Sequence, residues 1–231
     1  MQQGQNFICP FFGYFGMKKY RAVIFDLDGT LLDTLDDLAG SVNYSLNKYA
    51  GMTRSVQQIR TFVGNGVRTL MTRSLPGGQS NPAFEAAFED FKAYYADHCR
   101  DNTKPYPKIS ELVHELSARG YQLAIVSNKT DPEVKKLSRE YFGDAFSSAV
   151  GEREGVLRKP APDTLFQTLK ELGLAKEQAV YIGDSEVDVQ TALNAGVDCI
   201  GVTWGFRSPE QLAEAGCHSM INDPMQLLDL V

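Results

Sequence analysis

Apolar residues are spaced in two ways along this chain, and the switch between them divides it. Ala22-Val23-Ile24-Phe25 is an unbroken apolar run rich in β-branched and aromatic residues, which predicts a strand buried on both faces of a parallel sheet. From Leu35 the spacing turns helical: Leu35, Leu38, Val42, Leu46 and Tyr49 recur at intervals of 3, 4, 4 and 3. Thr34 stands where an N-cap belongs, with Asp37 three residues later, and Gly51 ends the helix. A short helix is predicted over residues 55–61, and another opens at the Phe62-Val63-Gly64-Asn65-Gly66 loop and continues through Val67, Leu70 and Met71. A fourth begins near Pro82, where Phe84, Phe88, Phe91, Tyr95 and His98 repeat at 4, 3, 4 and 3 as an aromatic stripe, with His98 at the core or its rim.

Beyond residue 104 strands return in alternation with helices. The pattern predicts helices over 109–119, 132–141, 163–172, 187–195 and 209–215, and strands over 123–126, 146–150, 179–182 and 199–202. Such repetition specifies an α/β fold, a Rossmann-like doubly wound parallel sheet with right-handed crossovers. The division expected is an α/β core made of residues 17–33 and 105–231, with residues 34–104 inserted as an all-helical domain. Residues 1–16 read as an extension outside the fold, because Met17-Lys18-Lys19-Tyr20 leads directly into the first strand. Phe7 to Phe15 is aromatic, but no basic region precedes it and it is too short to span a bilayer.

Composition narrows the function classes. With 231 residues, 43% hydrophobic and 23% charged, the chain suits a soluble globular protein with one large domain or a core and an insertion. A net charge of -6 argues against nucleic acid as a partner, since phosphate-backbone binding needs a basic field. A small phosphorylated metabolite stays possible, because one Lys, a metal and backbone amides suffice for a single phosphate. Cys9, Cys99, Cys199 and Cys217 form no Cys-x-x-Cys pair, which points away from zinc and disulfides and towards a cytoplasmic setting. No membrane partner is expected.

The candidate chemistry begins where the first strand ends. Asp26 and Asp28 are two residues apart, so in extended backbone they leave on one face, and Gly29-Thr30 follow in a turn that would bring free amides towards an anion. Two carboxylates that close require a metal or a shared proton. With a divalent ion bound, Asp26 can serve as a nucleophile and Asp28 can carry a proton for a leaving group. A tight Asp-Gly turn with solvated acids is the plainer alternative. A calcium loop begun at Asp26 fails, since its sixth and twelfth positions hold Leu31 and Asp37.

Ser127, Lys159 and the Gly183-Asp184-Ser185 turn with Asp188 all fall at the same carboxyl edge of the predicted sheet, where open α/β sheets hold ligands. Singly they also read as a helix cap, a solvated loop charge and an N-cap. Together they are the set that phosphoryl transfer requires.

In these stretches, DLDGT at 26–30, the Ser of VSN at 127, the Lys of RKP at 159 and GDSEVD at 183–188, the chain resembles the haloacid dehalogenase superfamily. The resemblance covers residues 20 to about 205 and makes the helical insertion that superfamily's cap domain. Through DLDGTLLDT and FVGNGVRTLM it is similar to the phosphoglycolate phosphatases, and Asp28 implies a phosphatase or phosphomutase in place of a dehalogenase. Asp26 would attack phosphorus to give an aspartyl phosphate, and Asp28 would protonate the leaving group and then deprotonate water. Mg2+ is the expected ion, held by Asp26, the Asp28 carbonyl and Asp184, with Asp188 acting through water or orienting Lys159. Ser127, Asn128 and Lys159 would hold the phosphoryl oxygens, with Thr30 beside them. Asn65 and Arg68 of the cap are expected to face the site, with Arg68 the reader of a substrate carboxylate and Arg60 and Arg73 as fallbacks, the plainer alternative being a solvated Arg beside a Gly-Asn-Gly turn.

A β-phosphoglucomutase-type phosphomutase needs the same acids, and a pyrophosphatase or nucleotidase of the superfamily is also compatible. A phospho-accepting receiver module would use similar residues as a switch, but it needs neither Asp28 nor an inserted bundle. A monomer and a homodimer are equally consistent with the sequence.

Overall fold

Four consecutive apolar residues with no polar face can be enclosed only inside a sheet, and β1 (Ala22–Phe25) takes that central place in the computed structural model, which describes residues 20–231. The expectations for residues 1–16, and for Met17 to Lys19, lie outside the described residues. After β1 the chain passes through β2 (Leu32–Asp33) into four helices, α1 (Leu35–Ala50), α2 (Val56–Phe62), α3 (Gly66–Ser74) and α4 (Phe84–His98). It returns through β3 (Lys104–Pro105), which pairs antiparallel with β2, and continues as α5 (Ile109–Ala118), β4 (Gln122–Thr130), α6 (Asp131–Phe142) and β5 (Ser148–Glu152). The rest runs α7 (Asp163–Leu172), β6 (Ala179–Gly183), α8 (Glu186–Ala195), β7 (Asp198–Val202), α9 (Pro209–Glu214) and β8 (Met220–Ile221).

The sheet order is β5-β4-β1-β6-β7-β8, all parallel. The chain therefore winds outwards from β1 in both directions, and the crevice this leaves at the carboxyl edge lies beside Asp26. Alternate residues of β1 feed two cores: Val23 and Phe25 pack with Leu123, Ile125 and Ile182, whereas Ala22 and Ile24 pack with Ala124, Val126 and Leu165. A third core belongs to the inserted helices, where Phe84, Phe88, Phe91 and Tyr95 stack with centroid separations of 6.1, 6.4 and 5.6 Å. His98 lies at the rim, stacked on Tyr94 at 4.0 Å.

Several local expectations are corrected. The strand expected over 123–126 continues through Ser127, Asn128 and Lys129 to Thr130, with a register irregularity against β5 between Val126 and Thr130. The strand expected over 146–150 lies at Ser148–Glu152. Thr34 occupies the N-cap of α1, but its hydroxyl is buried and makes no hydrogen bond. Asp37, expected as its capping partner, instead accepts from the Asn102 and Thr103 amides and the Thr103 hydroxyl, at 2.9, 2.9 and 2.7 Å. It thereby ties the start of the inserted helices to the segment by which the chain leaves them.

That buried carboxylate is a strut, so Asp37→Ala should lower the unfolding free energy by about 3 kcal/mol, the scale of losing charge-assisted hydrogen bonds and stranding buried donors. Urea unfolding of both proteins measures it. A loss under about 0.5 kcal/mol, the size of an ordinary surface change, would rule the strut out.

Candidate active site

Asp26 follows directly on β1, and the central position of that strand buries the carboxylate with 7% of the residue exposed. Lys159 reaches it from the loop after β5, with Nζ 2.9 Å from Asp26 Oδ1 and 2.7 Å from Asp188 Oδ1. Asp188 is on the first turn of α8, fully buried, and accepts from the Ser185 hydroxyl at 2.6 Å and amide at 3.1 Å. Tyr181 of β6 holds the pair from below, its hydroxyl 3.0 Å from Lys159 Nζ and 3.2 Å from Asp188 Oδ1. Asp184 completes the group, accepting from the Phe206 amide at 2.6 Å and the Thr30 hydroxyl at 3.2 Å. Gly29, at φ +90°, is needed for this approach, because a Cβ there would fall 2.4 Å from Asp184 Oδ2.

Burial pushes the Asp26 carboxyl up to about 7, against the pull of Lys159. Burial, together with the charges of Asp188 and Asp26, raises Asp184 well above the usual carboxylate range. Burial disfavours the Lys159 ammonium, but Asp188 and Asp26 outweigh it and hold Lys159 charged. Oxygens of Asp26, Asp184 and Asp188 lie within 4.8 Å of one another. With all three ionised, one ammonium leaves two negative charges uncompensated, and three hard oxygen donors are the set a divalent cation such as Mg2+ prefers. The residues therefore fit that ion.

Asp28 lines the same cleft from the other side. Its carboxylate accepts from Lys129 Nζ at 3.0 and 3.3 Å, and that ammonium also donates to the hydroxyl of Tyr95, from α4. Ser127 and Asn128 line the cleft too. Asn128 Nδ2 donates to the carbonyls of Lys159 at 3.0 Å and Gly64 at 3.2 Å, joining the Lys159 loop to the inserted helices.

The model of the haloacid dehalogenase-like hydrolases matches residues 23–202, the span that contains every one of these groups except Phe206. The chain belongs to that family. It is 33% identical over 215 residues to the phosphoglycolate phosphatase of Pseudomonas fluorescens (strain Pf0-1), covering 90% of this chain and 78% of the relative. A crystal structure from Lactobacillus delbrueckii subsp. bulgaricus superposes with a TM-score of 0.87 at 38% identity, covering 92% of this chain and 98% of the other. A predicted phosphoglycolate phosphatase from Haemophilus somnus 129PT gives 0.86 at 28% identity, with 93% and 99% covered. The enzyme is thus a phosphatase of the haloacid dehalogenase-like family.

Within this hydrolase, Asp26, Asp28, Ser127, Asn128, Lys159 and Asp184 converge on one cleft, and Asp188 stands directly behind Lys159. Four expectations are corrected. Thr30 is fully buried and turned to Asp184, so it does not line the cleft. The Gly29 amide is not free for an anion, because it donates to the Leu32 carbonyl at 2.9 Å within the turn. Arg68 faces away from the cleft, bonded to Glu85 and lying 5.1 and 5.0 Å over the rings of Phe84 and Phe88. Asn65, at the N-cap of α3, does not line the cleft either, although its neighbours Gly64 and Gly66 do. The fallbacks are occupied as well: Arg60 donates to the Phe206 and Gly205 carbonyls, and Arg73 to the Phe62 carbonyl.

Lys129, Tyr95 and Tyr181 were not anticipated. Lys129 had a usable signal, since it is two residues from Ser127 and shares its face wherever the backbone stays extended. Tyr181 lies inside an apolar strand and Tyr95 inside an aromatic stripe, so pattern alone reads both as core.

The raised carboxyls have a consequence for stability. In the native state Asp26 keeps its proton up to about 7, whereas the unfolded chain releases it near 3.8, so metal-free protein should lose stability as pH rises between those values. A divalent cation held by the ionised carboxylates, Mg2+ being the one expected, would stabilise the native form and should reverse that loss above neutrality. Unfolding midpoints in EDTA and in Mg2+ across this range test it. A flat EDTA profile, or no Mg2+ shift at pH 8, would contradict the arrangement.

Proposed function

We propose that this phosphatase hydrolyses a small carboxylate-bearing phosphate monoester, phosphoglycolate in the first instance, with Mg2+ and through an aspartyl-phosphate intermediate. The carrying observation is the convergence of Asp26, Asp28 and Lys159 on a cleft whose free volume is about 50 Å³. That is well below the roughly 300–1,000 Å³ of drug-sized sites and suits a leaving group of a few atoms. The names of the relatives at about one-third identity point to the same ester.

An Asp26 oxygen attacks phosphorus as the bond to the leaving oxygen breaks, and Asp28 gives that oxygen its proton. Asp28 then takes a proton from the water that attacks the phosphorus of the aspartyl phosphate, which regenerates Asp26 and releases inorganic phosphate. Lys159 and the Ser127 hydroxyl hold the phosphoryl oxygens, and Asp188 with Tyr181 keeps Lys159 aimed at them. Asp26 and Asp184 would hold Mg2+ beside Asp188, and the ion would supply positive charge against the phosphoryl oxygens. The four inserted helices serve as the cap that encloses the leaving group.

Phosphate release from phosphoglycolate should stop on chelation with EDTA and return with Mg2+. Asp26→Asn should abolish it, while Asp28→Asn should cost far more with phosphoglycolate than with p-nitrophenyl phosphate, whose leaving group needs no proton. Full activity after exhaustive chelation, or equal losses on both esters in Asp28→Asn, would count against the mechanism. A mutase would release little phosphate and instead pass it to a second alcohol.

A further inference from the structure

Two cations line the cleft, Lys129 and Lys159, and the mechanism uses only the second. Lys129 is an unusual residue to leave idle. Its side chain is 2% exposed, on the side of the cleft where the inserted helices present Leu38, Val67 and Leu70. A lysine is kept in such surroundings only if partners compensate its charge. Burial works against the ammonium, but Asp28 and Tyr95 more than offset it, and Lys129 is held charged. Nζ also lies 4.7 Å over the Tyr95 ring.

An ammonium has three N–H groups. Both Asp28 oxygens and the Tyr95 hydroxyl engage them, and when Asp28 carries the proton it gives to the leaving group, one of those oxygens ceases to accept and an N–H is released. The guanidinium groups nearby are committed elsewhere: Arg60, Arg68 and Arg73 as described above, and Arg207 to Glu186 at 2.6 Å and the Val63 carbonyl at 2.7 Å.

We propose that Lys129 is the specificity-determining residue, whose ammonium, fixed by Tyr95 of α4, receives the carboxylate of the leaving group. The inference rests on the proposed reading of a small phosphorylated acid and names the residue that reads the acid. The leaving oxygen must come within a hydrogen bond of Asp28, and Lys129 Nζ is itself 3.0 Å from Asp28. A carboxylate on the carbon next to the leaving oxygen therefore comes within reach of the Lys129 ammonium. The substrate class is an ester whose phosphate and carboxylate share one carbon. Acids with the carboxylate farther along the chain would overshoot into the apolar side.

The test compares phosphoglycolate with 2-hydroxyethyl phosphate, which replaces the carboxylate by an alcohol, using the Mg2+-loaded full chain. Wild type should favour phosphoglycolate in kcat/KM, and Lys129→Gln should lower that preference by about 10- to 100-fold, the scale of one charge-assisted hydrogen bond. Tyr95→Phe should lower it in the same direction by a smaller factor, and Lys129→Arg should restore part of it. Equal losses on both esters in Lys129→Gln would mean that Lys129 serves Asp28 alone, and the proposal would fall. If Lys129→Gln does not fold, an unchanged preference in Tyr95→Phe overturns it. A wild type without preference between the esters removes the inference and leaves the phosphatase chemistry standing. A wild type inactive on both but active on another carboxylate ester would displace phosphoglycolate, and the same comparison on that ester and its alcohol analogue then decides for Lys129.

Discussion

Three buried carboxylates gathered round one ammonium at the carboxyl edge of the sheet set the terms for the rest of the molecule, since with all three ionised two negative charges are left uncompensated. Asp26, Asp184 and Asp188 are each at most 7% exposed, and Lys159 is the ammonium among them. In a medium of low effective dielectric such a surplus has to be met by protons or by a cation. The strand order brings it about: Asp26 and Asp184 follow neighbouring central strands, and Asp188 is one turn into the helix after β6. Gly205 carries the adjacent loop against the same carboxylate, since a Cβ there would lie 2.3 Å from Asp184 Cβ. The backbone closes round the acids so tightly that their charge is available to little except a small ion and a phosphoryl group.

The seam between the inserted helices and the sheet is built from the same residues. Arg60 of α2 donates to the carbonyls of Gly205 and Phe206, while Arg207 donates back to the carbonyls of Arg60 and Val63. Phe206 buries its ring in the core of the helices and gives its amide to Asp184. Asn128 reaches Gly64, and Lys129 reaches Tyr95. Phe206 bonds Asp184 directly, Lys129 bonds Asp28, and Asn128 follows Ser127 in the chain, so the seam meets the groups assigned to the chemistry at three points. Any shift of the helices would thus be transmitted to Asp184 through Phe206 and to Asp28 through Lys129.

Much of this was legible in the sequence because it depends on local pattern. Period and punctuation located the sheet strands except β8, and the βα alternation placed Asp26, Ser127, Lys159 and Asp184 at one edge without any knowledge of distances. What escaped was decided by long-range partners. Asp37 looks like half of a capping box until Asn102 and Thr103 arrive from the far end of the insertion. Arg68, beside a glycine turn, looks free to bind a substrate until α4 brings Glu85, Phe84 and Phe88 against it. Lys129 lies beyond the apolar run, which stops at Val126, although the extended backbone continues to Thr130. The two-residue strands β2, β3 and β8 are too short to carry a period at all.

If this crowded, cation-demanding edge makes Asp26 a nucleophile, as proposed, the covalent intermediate can be trapped chemically. Enzyme turning over phosphoglycolate with Mg2+ can be quenched in acid and treated with borohydride, which reduces an acyl phosphate on aspartate to homoserine. Peptide mass analysis should find homoserine at position 26 and at no other aspartate, and only when substrate was present. Homoserine at a different aspartate, or its absence from every aspartate in enzyme quenched during turnover, would contradict the account.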